Sequence, residues 1–237
     1  LAEGLLARYR QSVLKAAVTG QLTADWRAEN VHRLEHGRDL LARILKTRRD
    51  TWQGRGAYQG PVAPDTTDLP DLPEGWVWAT LPMLGEFGRG RSKHRPRNDP
   101  KLYVNGKYPF LQTGRIRSSD GKISEYDALY NDVGLAQSKL WPKGTVCITI
   151  AANIAESGIL EIDACFPDSV VGLVPHSEVN AEYVECFVRT AKENLDRYAP
   201  ATAQKNINLE TLENLAVPLP PKQEQIEIGD RIQQALL

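Results

Sequence analysis

The chain has 237 residues, 41% of them hydrophobic and 25% charged, which suits one large globular domain or a domain with an appendage. Its 29 Lys and Arg stand against 30 Asp and Glu, a formal charge of -1, so it is not a protein that coats nucleic acid indiscriminately, although a local electrostatic site remains open. No apolar run reaches bilayer length, and the opening segment, interrupted by Glu3, Arg8, Arg10 and Lys15, lacks the pattern of a secretory leader.

Leu5, Leu6, Tyr9, Val13, Ala16 and Ala17 recur at three- and four-residue steps and predict a first helix, stopped at Thr19-Gly20. The segment "QLTADWRAEN" reads as a connector. A second helix is predicted over about 34–52, with Leu41, Ile44, Leu45, Arg48 and Trp52 on one side and a solvated basic face of Arg38, Arg43, Lys46 and Arg49. Residues 54–73, rich in Gly, Pro and Asp, form a linker. Short runs rich in Val, Ile, Thr and aromatic residues then predict strands at 76–81, 108–113, 144–150, 158–162 and 169–174. A helix over 180–199 is capped by Asn180, and a last one begins near Pro221 with Ile228, Ile232 and Leu236 on its stripe. Strands outnumber helices without alternating with them, so the class is α+β. The terminal helices are expected to pack as an antiparallel pair or against a partner chain.

Catalytic motifs are not found. "GEFGRGRSK" has the wrong glycine spacing for a phosphate loop, "NDPKLY" lacks the second proline of a DNA methyltransferase motif, and Pro167-Asp168 lacks the Glu-x-Lys of a nuclease. His32 and His36 are four apart but have no third ligand and read as solvated helix residues. Cys147, Cys165 and Cys186 match neither a zinc nor a disulfide spacing and read as buried thiols in a reducing cytoplasm.

Three polar runs remain. "GRGRSKHRPRN" crowds Arg89, Arg91, Lys93, Arg95 and Arg97 together with no acidic side chain, which suits phosphate contacts. "QTGRIRSSDGK" carries Gln112, Thr113, Arg115, Arg117 and Lys122, and "TAQKNIN" carries Thr202, Gln204, Lys205 and Asn206. Gln112, Thr113, Arg115, Arg117, Gln204 and Asn206 are the candidates for base or groove contacts, because amides and guanidiniums can make paired hydrogen bonds to base edges.

The chain resembles the specificity subunit of type I restriction-modification systems. The resemblance rests on "RQSVLKAAVTGQLTADWR", "LPEGWVWATLPML", "YPFLQTGRIRSSDGKI" and "APATAQKNINLETLENLAVPLPPKQEQIEI". It implies a helical conserved region over 1–53, a linker over 54–72, a strand-rich target recognition domain over 73–220 and the start of a second conserved helix over 221–237. It further implies a non-catalytic cytoplasmic subunit that reads one half of a bipartite target in double-stranded DNA and positions methyltransferase (modification) and restriction subunits. No cofactor is expected on this chain; S-adenosylmethionine, ATP and Mg belong to the partner subunits. With one recognition domain, the chain corresponds to the second half of such a subunit, either a piece of a longer protein or a half-subunit that pairs with a second copy of itself. The alternative is a recognition-domain fragment of a fused DNA methyltransferase/endonuclease.

Overall fold

The computed structural model describes residues 2–150, 155–193 and 208–236. The fold is α+β, and contacts divide it into two compact units: the described parts of 1–84, 176–203 and 213–237, and those of 85–175 and 204–212. No described helix is long and apolar enough to cross a membrane.

In the first unit, helix α1 (Ala2–Val18) ends where Gly20 adopts φ +73°, the left-handed geometry that favours glycine. Val13, Ala17 and Val18 are buried, and α1 packs on α6 (Ala181–Glu193) and on α8 (Lys222–Leu236). The terminal stripes therefore meet within one chain. Only the C-terminal half of the α1 stripe is covered: Leu5, Leu6 and Tyr9 are 71%, 53% and 50% exposed.

The connector after α1 holds a helix, α2 (Ala24–Asn30), that its sequence does not announce, since none of its residues is buried. It is held by Arg27, which donates to Gly20 O at 2.9 Å and to Glu224 at 2.6 Å. α3 (Gly37–Asp50) starts at a cap supplied by His36, whose Nδ1 accepts from Arg38 N, while His32 lies in a preceding 3-10 turn. The two histidines thus share no helical face. Leu40, Leu41 and Ile44 are buried on α3, but Trp52 lies beyond its end, exposed, with its ring edge-on to Tyr58. β1 (Val77–Thr80) pairs antiparallel with β11 (Ala216–Leu219), where Trp78 stands opposite Pro218. A two-stranded ribbon consists only of edges, which is where a strand tolerates proline.

The second unit contains two sheets. The larger has the order β2-β10-β7-β8-β4, built from β2 (Gly85–Arg89), β4 (Lys122–Ile123), β7 (Val146–Thr149), β8 (Ser157–Leu160) and β10 (Val170–Pro175). The smaller has the order β5-β3-β9-β6, from β3 (Tyr108–Phe110), β5 (Ala128–Tyr130), β6 (Leu140–Trp141) and β9 (Ala164–Cys165). Two short helices, α4 (Thr113–Ser118) and α5 (Asp132–Ala136), complete it. The six-residue α7 (Leu209–Asn214) is capped by Asn208, whose side chain accepts from Thr211 N at 2.8 Å.

Strand register explains how the core closes. Gly88, Gly172, Cys147 and Gly158 form one row across four strands. Residues paired in this way point to one face, so the row leaves a trough with almost no side chains. Trp141, stacked on Phe166 at 5.1 Å, lies against it: a Cβ on Gly172 would sit 2.8 Å from Trp141 and 2.9 Å from Phe166. Leu111, Ile116, Ile123, Leu160 and Val170 close the same cluster. All three cysteines are buried free thiols, as their spacing predicted, and burial pushes the Cys165 thiol up to about 11.

Candidate nucleic-acid interface

The basic run begins on a strand, although its glycines read as loop. Gly88 and Arg89 close β2, an edge strand of the larger sheet. The following coil is fastened by its own arginines. Arg91 donates through Nε to Ser138 O at 2.9 Å and through a second nitrogen to the same oxygen, and Ser138 Oγ returns a bond to Arg91 O at 2.6 Å. Gln137 Oε1 accepts from His94 N at 2.9 Å while its Nε2 donates to Gly134 O at 2.8 Å. Arg95 Nη1 donates to Ser92 O and His94 O, and Arg97 pairs with Asp168 at 2.7 Å.

Further along, His94 pairs with Asp99 at 2.8 Å, and Tyr103 donates to Arg97 O at 2.5 Å. The bond from Lys101 N holds the Asp99 carboxyl below the ordinary range, and burial pushes Tyr103 up to about 12, so its phenol stays a donor. Three of the five cations in the run are therefore bonded within the chain. Arg89 and Lys93 are exposed, and among the described residues their side chains meet no partner.

The second run divides similarly. Thr113, Arg115 and Arg117 lie on α4, a helix where the sequence reads as strand and loop, anchored by the buried Ile116. Arg115 pairs with Glu125 at 2.5 Å and with Asp127 at 3.3 Å. Asp127 also accepts from Gln112 N at 2.7 Å. Gln112, Arg117 and Lys122 are exposed, with side chains unpartnered among the described residues; Thr113 is half-buried. An open cleft of about 180 Å³ beside them is lined by Arg115, Ser118, Ser119, Lys122 and Glu125, among others.

Sheet order relates the two runs. Arg89 ends β2 at one edge and Lys122 starts β4 at the other, four inter-strand steps or about 19 Å apart. Arg89 lies in the row of Val171, Ile148 and Ser157, and Lys122 in the row of Ile159 and Val146, two residues along. Both side chains thus belong to the same face. The centre of that face, Val146, Ile148, Val171 and Leu173, is buried, so the cations stand at its margins and not on one continuous patch. Thr202, Gln204, Lys205 and Asn206 lie outside the described residues. Tyr126, between Glu125 and Asp127 and 46% exposed, was not singled out by sequence because a lone aromatic between acids carries no periodic or motif signal.

Comparison with known proteins places this architecture. The profile of the family described as the type I restriction modification DNA specificity domain matches residues 73–236. The chain belongs to that family. The EcoDI specificity subunit of the type I restriction enzyme from Escherichia coli is 23% identical over 231 residues, covering 97% of this chain and 46% of that protein. The HsdS subunit from Thermoanaerobacter tengcongensis has a similar fold, with TM-score 0.55 and 18% identity, covering 97% of this chain and 51% of that one. So does a structure described as the basis of complex assembly and conformational transition of the type I R-M system, with TM-score 0.54, 19% identity and coverage of 99% and 50%. This chain spans about half the length of each.

In this specificity domain the closing "PLPPKQEQ" stretch is a joint of the first unit. Gln225 accepts from Asn180 N at 2.8 Å and donates to Pro220 O at 3.0 Å, tying α8 to the start of α6. Glu224, fully buried, accepts from Thr23 Oγ1 at 2.8 Å, Arg27 Nη1 at 2.6 Å and Trp76 Nε1 at 2.8 Å. The two most recognisable residues of the stretch hold structure.

Proposed function

We propose that this chain recognises DNA sequence as a specificity subunit or half-subunit, contributing the readout of one half of a bipartite target. The observation that carries the proposal is the match of the specificity-domain family across the segment that includes the second unit, whose surface presents Arg89, Lys93, Arg117 and Lys122 without internal partners among the described residues. These four cations contact phosphates; Arg91, Arg95 and Arg97 shape the coil that follows Arg89 and presents Lys93. The family is the recognition part of its enzymes and not the catalytic part. Methyltransferase and restriction subunits are the protein partners, S-adenosylmethionine, ATP and Mg act on those partners, and the cytoplasm is the setting. Pairing with a second copy applies if the chain is a half-subunit. If Thr202, Gln204, Lys205 and Asn206 reach the duplex, they belong to the same interface.

The test is duplex binding as a function of salt. Each phosphate contact contributes about 0.9 to the slope of log K against log salt, so Arg89→Ala combined with Lys93→Ala lowers the slope by about two units. An unchanged slope removes these residues from the interface.

A further inference from the structure

Arg115 was one of four candidate base readers in its segment, with Gln112, Thr113 and Arg117, yet its two terminal guanidinium nitrogens are held by Glu125 and Asp127, the two residues that flank Tyr126. Both neighbours of this ring are thus tied to one side chain on α4. Asp127 fixes the main chain of Gln112 as well, through the 2.7 Å bond from Gln112 N. One carboxylate therefore holds two exposed, uncharged groups in a common frame: the Gln112 amide and the Tyr126 ring, neither with a side-chain partner among the described residues. From this geometry we infer that Gln112 and Tyr126 read a single A·T pair, with Arg115 as the positioning residue. The inference rests on the DNA-recognition reading above and deepens it.

The chemistry selects this ligand. Arg115 with its two carboxylates leaves the cluster with a surplus negative charge, which disfavours close approach to a phosphate. Arg117 and Lys122, both exposed and both between Arg115 and Glu125 in sequence, suit phosphates instead. A neutral amide fits base edges, and glutamine pairs its two ends with adenine N6 and N7 in the major groove. The thymine of the same pair offers a methyl group there, which needs an apolar surface such as a held aromatic ring.

The experiment uses the full chain and a randomised duplex library, followed by the selected duplex with uracil in place of thymine at the relevant pair. The wild-type chain selects an A·T pair, and Gln112→Ala lowers the preference for it by about 5- to 150-fold. Loss of the thymine methyl weakens wild-type binding by about fourfold, the value of one buried methylene-sized group. Tyr126→Ala abolishes that difference, whereas Tyr126→Phe keeps it. Arg115→Met lowers sequence preference at an unchanged salt slope. Equal binding of thymine and uracil duplexes by the wild type, or a difference that survives Tyr126→Ala, overturns the assignment while leaving DNA recognition intact. A slope reduced by about one unit in Arg115→Met puts Arg115 on a phosphate and overturns its positioning role. A wild-type chain that selects no sequence overturns both the pair and the recognition reading.

Discussion

Replacing Glu224 with alanine tests whether the closing stretch is a structural joint. The carboxylate is fully buried and accepts three bonds, while Arg27 retains 14% side-chain exposure. Removal strands the Thr23 hydroxyl and the Trp76 indole N–H, and leaves Arg27 with Gly20 O as its remaining acceptor. Breaking one side of a buried charge pair costs about 3–5 kcal/mol, and each orphaned neutral donor about 1–3 kcal/mol, though the two do not add. Because Arg27 keeps some access to water, the loss is about 3–4 kcal/mol, a large share of the roughly 5–15 kcal/mol that holds a typical protein together. For a chain of this size that lowers Tm by about 10 °C. Glu224→Gln keeps one carbonyl acceptor and loses the charge, so about half of the effect remains. Urea unfolding followed by tryptophan fluorescence gives both values, and a double-mutant cycle with Arg27→Met isolates the pair. A loss below about 1 kcal/mol for Glu224→Ala, or a coupling energy near zero, would refute the reasoning.

Glu178, held by Lys222 and Arg43, has its carboxyl lowered from 4.5 to about 2. A depressed folded value means that the stabilisation is complete above about 4.5 and disappears as pH falls toward 2, so the wild-type urea midpoint drops across that interval more steeply than that of Glu178→Gln. Gly172→Val forces a side chain into Trp141 and Phe166 and costs about 1–3 kcal/mol, measured by thermal unfolding; an unchanged Tm would show that the trough can widen. Arg91→Ala frees the Ser138 carbonyl and loosens the coil, so it weakens duplex binding while changing the salt slope less than Arg89→Ala does.

The strands legible in the sequence were those with a continuous apolar or β-branched run, such as Val146–Thr149 and Val170–Pro175. Those missed are two to five residues long or carry residues that strands usually avoid: Gly85–Arg89 with two glycines, Ala216–Leu219 with a proline, the three-residue β5, and the two-residue β4, β6 and β9. Their stability comes from partners distant in the chain, which no local window contains. Asn180 as a cap was legible because capping is a local event, and Tyr183 N donates to its side chain at 2.9 Å. α4 was not: "TGRIRS" has one buried residue, Ile116, and its charges read equally well as a surface loop. Composition located the cations of the candidate interface, but only the fold separates Arg89 and Lys93 from Arg91, Arg95 and Arg97, because that division depends on where Ser138 and Asp168 come to lie.

The Arg91 clasp grips the carbonyl of residue 138, an atom that every amino acid possesses. A substitution at 138 can remove the returning hydroxyl bond but not the acceptor, and substitutions at 89 or 93 remove neither. The shape of this coil is thereby uncoupled from the identity of the groups it displays, so a lineage can exchange those groups and retune how tightly a duplex is held without first having to find a new backbone.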